Sequence, residues 1–543
     1  MEARIKSRVP FMEKILAVTG QPGVSVGVLH RGKVIFNQSF GHRDVSTQKK
    51  ADGDTLYCIA SLTKGFVSVT LNNLINEKNL SWSDRVVKFI PSLTVQEDPT
   101  LVDRLSLADL VSHRSGLNSL DQLIQGLDGR ILVSKDKVIP LMRELPVQSD
   151  IRTAFSYTNV PFSVAGQIVE DFGACTRWDE YLKDKITGPL GMDRTTADWD
   201  TLASDSNMAQ PYTVLVDGSV CSLPQPGLSA STLHGCAGGI RSSVNDMLKW
   251  CQAIISATTG RDRQDSANCS KTETETATGP NQTALPSHVS TCFESAVIID
   301  PSSAEAGNYC LGWVKQATPA TLGMISPNRR FFSPALGKDS PSKLVYSHNG
   351  DVKGYMASLC IFPHDEVAIV AFTNGTGMSD CTDWIMQDIA QEIFSFEPKV
   401  DYVDLAKQAA KLCATRYHDK CVVPLQEHRN KDTKQPPRKD FTGHYTRPNS
   451  EAVINLVITE EQDDGLVMVI NEQVKQAYHL HHYHYDTWCL LPNSCEEAIK
   501  RGYFGIFESW EEYLVSFGRQ TDGTVAWIDW KLGSVSVRFD RSL

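Results

Sequence analysis

Ser61 and Lys64 are the two residues of this 543-residue chain whose types and spacing best suit covalent chemistry. They follow the apolar run 56–60 and begin a segment whose apolar residues recur with helical spacing. Residues three apart lie on one face of a helix, so the lysine amine can reach the serine hydroxyl. The N-terminus of a helix also favours negative charge on nearby oxygens. The pattern therefore predicts a serine nucleophile activated by a lysine, provided that other residues supply its partners.

Tyr157 and Asn159 form a second cluster with suitable chemistry. A tyrosine hydroxyl beside a lysine can carry a proton between the serine and a leaving group. The asparagine amide can donate a hydrogen bond to a substrate carbonyl. Asn159 could instead cap the helix that begins at Val160-Pro161.

His348 and Gly350 form a third cluster, directly before Asp351 and a predicted strand. A glycine at this position would let a substrate pass close to the strand edge. The backbone N–H groups of Asp351 and Ser61 could then stabilise an oxyanion. His348 could also be an ordinary histidine at a strand edge.

In this order, Ser61-x-x-Lys64, Tyr157-x-Asn159 and His348-x-Gly350 resemble the three motifs of the class C β-lactamase family. The histidine in the third motif is similar to that of the carboxylesterases and D-amino-acid peptidases of this family. The resemblance covers about residues 10–395. Connecting segments that also look like the family are 110–117, 189–192, 237–243, 311–313 and 373–375.

The resemblance implies an acyl-enzyme mechanism that needs no metal and no organic cofactor. It implies catalytic roles for Ser61, Lys64, Tyr157, Asn159 and His348, and contacts to the substrate or oxyanion from Ser61, Gly350 and Asp351. His113, in the segment 110–117, is expected to support the fold rather than the chemistry.

The third motif departs from that of the true β-lactamases, which usually have Lys-Thr-Gly there. His348 replaces the lysine that would meet the carboxylate of a β-lactam. A histidine is not a fixed cation near neutral pH, so charge pairing with that carboxylate is weakened. We therefore do not expect β-lactam hydrolysis to be the biological role.

The elements that position these clusters indicate an α+β fold. Segments 24–30 and 34–36 read as one hairpin, and segments 356–362 and 367–372 read as a second. The intervening chain is mostly helical in pattern. Strands at both ends with helices between them predict an antiparallel sheet flanked by helices, plus an all-helical block, as in the β-lactamase/transpeptidase-like fold.

The chain divides into three predicted regions. Residues 1–398 form the catalytic domain, with an exposed, polar insertion at about 257–290, where too few apolar residues occur to offset the entropy of ordering. Residues 399–439 form a helix and a charged linker. Residues 440–543 contain short alternating strands and predict a small all-β barrel, similar to the lipocalin-like domain that some family members carry.

Composition excludes several classes of protein. The formal net charge of −11 argues against nonspecific nucleic-acid binding, and no run of about 18 apolar residues predicts a membrane span. The first residues lack the apolar block of a signal peptide, so we expect a cytoplasmic location and mostly free cysteines. The histidine-rich run 478–485 lacks the cysteine or carboxylate pair of a closed metal site, so no metal is expected.

The sequence thus predicts a serine hydrolase of a small-molecule or peptide ester or amide. Acyl transfer to an alcohol or amine of a small metabolite is the alternative within catalysis. A noncatalytic binding or filament-forming module is a third possibility, which the intact motif residues disfavour. The substrate, the role of the β domain and the oligomeric state are left open.

Overall fold

A computed structural model of the chain describes residues 1–198, 201–202, 205–260, 285–448, 451, 453–461 and 465–542. The predicted insertion at 257–290 therefore lies mostly outside the described residues. The strands before residue 380 are β1 (Gly23–His30), β2 (Lys33–Asp44), β3 (Lys49–Lys50), β4 (Tyr57–Cys58), β5 (Tyr212–Val214), β6 (Val220–Ser222), β7 (Arg241–Ser242), β8 (Val297–Ile298), β9 (Asn308–Tyr309), β10 (Val314–Ala317), β11 (Leu344–Val352), β12 (Tyr355–Phe362), β13 (Val367–Thr373) and β14 (Gly375–Thr376).

Nine of these strands form one antiparallel sheet in the order β3-β2-β1-β13-β12-β11-β10-β9-β8. β1 pairs with β13, so that Val26 lies opposite Ala371. The predicted sheet that joins the two ends of the catalytic region is therefore confirmed. Among the described residues, the α-helices up to residue 428 include Glu2–Ser7, Val9–Thr19, Thr63–Glu77, Leu101–Arg104, Leu107–Leu110, Asp121–Ile124, Val138–Glu144, Val160–Phe172, Trp178–Leu182, Gly235–Gly238, Val244–Thr259, Cys381–Phe394, Tyr402–Arg416 and Val423–His428.

The central strands of the sheet are buried on both faces, which explains their nearly continuous apolar sequences. Alternate residues of β13 contact different cores. Ile369 belongs to the core that contains helix Cys381–Phe394, and Val370 belongs to the core that contains helix Val244–Thr259. Gly27 of β1 lets helix Val244–Thr259 approach the sheet closely, because a β-carbon at Gly27 would lie 2.5 Å from Val244 Cγ1.

Helix Thr63–Glu77, which we call the nucleophile helix, lies inside the helical block. Every residue from Thr63 to Ile75 is buried. It packs against helices Val160–Phe172 and Gly235–Gly238. A helix that is buried on all sides is rigidly held, and it gives the site a fixed base.

The region after residue 440 is a closed barrel, as predicted. Its first and last strands pair, with Tyr445 opposite Arg541, and Trp488 and Trp530 fill its interior. Helices Cys495–Arg501 and Tyr503–Ile506 connect two of its strands. The eight strands are β15 (Gly443–Thr446), β16 (Asn455–Glu460), β17 (Leu466–Ile470), β18 (Tyr478–His484), β19 (Thr487–Cys489), β20 (Leu514–Arg519), β21 (Val525–Leu532) and β22 (Val535–Arg541).

The barrel contacts the segment 118–132 of the helical block. Asn118 Nδ2 donates to Ser534 Oγ at 3.0 Å, and Asn471 Nδ2 donates to the Leu132 carbonyl at 3.1 Å. Gln122 Nε2 lies 3.4 Å from Glu512 Oε1. The barrel therefore supports a segment that, as described below, forms one wall of the site.

The thirteen cysteines in the described parts of the chain are all unpaired, which agrees with the expectation of free thiols. Within those same parts, no helix combines the length and the apolar character needed to cross a membrane.

Candidate active site

Ser61, Lys64 and Tyr157 meet in one hydrogen-bonded group. Lys64 Nζ lies 3.0 Å from Ser61 Oγ, and the Tyr157 hydroxyl donates to Ser61 Oγ at 2.8 Å. Lys64 Nζ also donates to the Ala237 carbonyl at 2.9 Å. The structure thus brings together the first two motifs, which are almost one hundred residues apart in the chain.

Ser61 lies in a short 3₁₀ turn, Ala60–Leu62, that runs directly into the nucleophile helix. Ala60 has a φ of 43°, in the left-handed region that costs a non-glycine residue about 1–2 kcal/mol. Such strain is found where the surrounding structure fixes a functional side chain. The sharp turn presents the serine hydroxyl at the end of the helix rather than along its side.

Lys64 is completely buried. Burial lowers the pKa of its ammonium group to about 7, although the charge of Asp121 acts in the opposite direction. A large fraction of Lys64 is therefore neutral at physiological pH. Its lone pair can then accept the Ser61 proton, while its N–H donates to the Ala237 carbonyl.

Tyr157 is a neutral phenol in this setting, because burial raises its pKa and the charge of Asp121 adds to that effect. Its ring packs against that of His113, with 4.0 Å between the ring centroids. The Thr158 backbone N–H donates to His113 Nδ1 at 3.2 Å. His113 thus holds the tyrosine segment in place, in line with the supporting role expected of it.

Asn159 is oriented by a carboxylate that the sequence did not single out. Its Nδ2 donates to Asp121 Oδ2 at 2.7 Å, so one amide hydrogen is already used within the protein. Asp121 follows the 110–117 segment by four residues and matches no motif. Only the fold brings it beside the second motif.

Two further residues continue this network behind Asp121. His234 Nε2 lies 3.7 Å from Asp121 Oδ1, and Gln125 Nε2 lies 3.2 Å from His234 Nδ1. Burial lowers the pKa of His234 to about 4, so the ring is neutral. A neutral ring that accepts from Gln125 at Nδ1 carries its hydrogen on Nε2, facing the carboxylate.

His348 uses both of its ring nitrogens within the protein. Nδ1 lies 2.6 Å from the Asn349 carbonyl, which can only accept, so Nδ1 carries the hydrogen. Nε2 then accepts from the Tyr309 hydroxyl at 3.0 Å. Burial lowers the pKa of His348 to about 3. The third motif therefore presents a neutral, internally bonded imidazole.

Gly350 brings β11 against the turn that carries the nucleophile. A β-carbon at this position would lie 2.2 Å from the Ile59 carbonyl oxygen, closer than any side chain allows. β10 pairs with β11 only as far as Ser347 in the described residues, so beyond Ser347 that edge of β11 has no partner strand there. We call this stretch the open edge, although His348, Asn349 and Gly350 are buried. The open edge of β11, with Gly350 and Asp351, lies beside the turn that contains Ser61.

The role of Asp121 can be tested by replacing it with asparagine. The loss of its negative charge should lower the pKa of Lys64 below about 7, so the acid limb of the kcat/KM profile should move to lower pH. Asp121→Ala also removes the acceptor for the Asn159 amide, so we expect it to reduce the plateau value of kcat/KM at high pH as well. Asp136→Asn, at an exposed position, is the control and should leave the profile unchanged. If the acid limb of Asp121→Asn stays where it is in the wild-type protein, the charge of Asp121 does not act on Lys64.

The sequence of the chain is similar to those of several known proteins. A model of the family described as Beta-lactamase matches residues 11–392. The unguisins hydrolase ungD of Aspergillus violaceofuscus is 24% identical over 376 residues, 66% of this chain and 59% of that protein. A putative D-alanyl-D-alanine carboxypeptidase of Escherichia coli is 25% identical over 193 residues, 32% of this chain and 43% of that protein. The chain thus spans less than two thirds of either relative's length.

A solved structure has the same fold over nearly its whole length. The octameric penicillin-binding protein homologue from Pyrococcus abyssi aligns with a TM-score of 0.57 and 18% identity, covering 99% of both chains. The likeness therefore extends from the sheet to the barrel. Because the family model spans more than half of the sequence, and because the fold agrees with it, this chain belongs to the beta-lactamase family.

Proposed function

We propose that the protein is a serine hydrolase that cleaves an ester or amide bond through an acyl-enzyme on Ser61. The observation that carries this proposal is the contact of Ser61 Oγ with both Lys64 Nζ and the Tyr157 hydroxyl. The first partner is a buried amine with a pKa of about 7, and the second is a neutral phenol. A base and an acid thus meet at one hydroxyl.

Acylation begins when neutral Lys64 takes the Ser61 proton and Ser61 Oγ attacks the substrate carbonyl. The carbonyl oxygen becomes an oxyanion, which the backbone N–H groups of Ser61 and Asp351 would stabilise by about 3 kcal/mol per donor. Tyr157 gives its proton to the leaving group as the bond to it breaks. The proton on Lys64 then passes to the Tyr157 oxygen, which restores both groups.

Deacylation uses the same groups with water as the nucleophile. Neutral Lys64 takes the proton from the water as its oxygen attacks the acyl carbon. Tyr157 gives its proton to Ser61 Oγ as that oxygen leaves, and the proton on Lys64 then passes to the Tyr157 oxygen. Asn159, which Asp121 holds in place, can offer its remaining amide hydrogen to the acyl group. His348 acts through Tyr309 to support the site rather than by contacting the substrate.

The favoured substrate is a peptide or peptide-like amide. Two similar proteins are named for the hydrolysis of unguisins and of D-alanyl-D-alanine. The open edge of β11 can hydrogen-bond to an extended backbone, as an added strand does. A neutral His348 supplies no cation in the third motif for a β-lactam carboxylate.

Acyl transfer is the second candidate. The barrel packs on segment 118–132, next to Asp121, and so restricts solvent on one side of the site. A drier pocket would favour an alcohol or amine over water as the acceptor. Product analysis in the presence of competing amines distinguishes the two, since exclusive hydrolysis would exclude transfer.

The hydrolase proposal is tested by covalent labelling of the full chain. A fluorophosphonate should add one phosphonyl group, detected by intact mass, and peptide mapping should locate it on Ser61. A panel of p-nitrophenyl esters and D-amino-acid amides then measures turnover. An adduct on another residue, or none, would contradict the proposal.

A further inference from the structure

A cavity of about 180 Å³ lies between the nine-stranded sheet and the barrel. Asp351 and Lys353, at the end of β11, line one wall, and Gln125 lines another. Phe504 and Ile506 of the barrel close it from the far side. Asp351 directly follows Gly350 in the chain. Gln125 is the residue whose amide bonds to His234, which in turn lies beside Asp121. The cavity adjoins the site from two directions.

The position of Tyr157 indicates which part of a substrate would reach this cavity. Tyr157 packs on His113, which packs on Tyr309 with 4.7 Å between ring centroids, and Tyr309 bonds to His348. The proton donor for the leaving group thus lies near the His348 end of the open edge. The acyl part would then extend the other way, from Gly350 toward Lys353, along about 10 Å of chain.

Arg416 gives the barrel side of the cavity an uncompensated positive charge. Its guanidinium donates only long hydrogen bonds, to the carbonyls of Phe504 at 3.3 Å and Phe507 at 3.5 Å, and it lies 5.1 Å from the Phe504 ring. Within the described part of the chain, no carboxylate lies within ion-pair distance of it. Burial and the charge of Arg330 both lower its pKa, and no carboxylate is among the groups that act in the opposite direction.

The neighbouring charges do not neutralise Arg416. Arg330 also lines the cavity, but its partner is Glu508, at 3.0 Å, whose side chain is 72% exposed. Asp351 also lines the cavity; burial raises the pKa of its carboxyl, although the charge of Arg330 acts in the opposite direction, and Asp351 is not within ion-pair distance of Arg416. The walls around these groups are largely apolar, with Phe331, Met356 and Ile499 among them. The cavity thus combines an apolar body with a cationic end, in a chain whose net charge is −11.

We propose that this cavity binds the acyl part of the substrate and that Arg416 receives a carboxylate at the remote end of it. The preferred substrates are then esters or amides of an apolar acid that carries a second, free carboxylate. This inference rests on the proposed acyl-enzyme function and adds the substrate class. An arginine fork binds a carboxylate with two parallel hydrogen bonds, which suits a partly buried site.

The test compares mono-p-nitrophenyl esters of straight-chain dicarboxylic acids with their methyl-capped neutral counterparts. Chains of four, six, eight and ten carbons vary the separation between the ester carbonyl and the free carboxylate. The full chain should favour the anionic member of the best-fitting pair by about tenfold or more in kcat/KM. Arg416→Met should abolish this preference while changing kcat/KM for the neutral ester by less than about threefold.

Two variants complete the experiment. Arg416→Lys keeps the charge but not the fork, so an intermediate preference is expected, and Arg416→Gln replaces the methionine variant if that does not fold. Arg538→Met removes an exposed arginine that pairs with Asp540 on the outside of the barrel, and should leave the preference intact. A wild-type protein without the preference, or a preference that survives loss of the Arg416 charge, would overturn the proposal. Labelling of Ser61 would still stand in either case, so the two proposals fail separately.

Discussion

Replacing Ser61 with alanine is expected to remove essentially all turnover and all fluorophosphonate labelling. Loss of a catalytic nucleophile costs roughly 10⁴–10⁶-fold in kcat, because the bond to the acyl group can no longer form. Lys64 and Tyr157 would remain, with no hydroxyl between them. The measurement is a progress curve for the best ester of the panel together with intact mass after labelling.

Ser68→Ala is the matched control for this experiment. Ser68 lies on the same helix, two turns further on, and its buried hydroxyl has no hydrogen-bond partner in the described structure. Its removal should leave kinetics and labelling unchanged. Equal activity of Ser61→Ala and the wild-type protein would end the acyl-enzyme proposal, whatever the family of the chain.

Lys64→Met should lower kcat/KM by roughly 10²–10⁴-fold, the usual contribution of a general base. Methionine fills a similar volume in the buried position but cannot accept the Ser61 proton. Lys78→Met, at the exposed end of the same helix, is the control. A methionine variant that retains more than about a tenth of the activity would show that another group removes the proton.

The pH dependence of the wild-type protein follows from the same residue. Only neutral Lys64 can act as a base, so kcat/KM should fall tenfold per pH unit below about pH 7 and level off above it. The free energy of unfolding should also rise with pH, for the following reason. The native pKa lies below the unfolded value of about 10.5, so the unfolded chain binds more protons between these values, and the free energy of unfolding rises with pH there. Lys64→Met should lack both the limb and this rise.

The sheet could be predicted because its pattern is local. β1, β12 and β13 are short apolar runs bounded by turns, and their pairing follows from the hairpins that contain them. The nucleophile helix was less obvious, since it is buried on all sides and shows little amphipathic pattern. The helical spacing of its apolar residues indicated a helix after Lys64, but it did not indicate that the polar positions of that helix are buried as well.

The site was predictable only where residue types form motifs. The contact of Ser61 with Tyr157 agrees with the order of the motifs. Lys64 Nζ, however, donates to the backbone carbonyl of Ala237, and a backbone carbonyl leaves no signal in the sequence. Asp121 and Arg416 are single charged residues in ordinary surroundings of the sequence. Their partners come from distant segments, so only the folded chain reveals their roles.

The pairing of β1 with β13 has a consequence for how the protein is made. Val24 pairs with Thr373, so the sheet that supports β11 cannot close until that residue has left the ribosome. Such distant pairing is slow to form, and β1 must wait as an exposed apolar strand that invites aggregation. A nascent chain that stops before β13 already contains Ser61, Lys64 and Tyr157 on the helical block, yet β11 and β12 are not joined to β1 in it. The complete site would therefore form only late in translation, after β13 has joined β1.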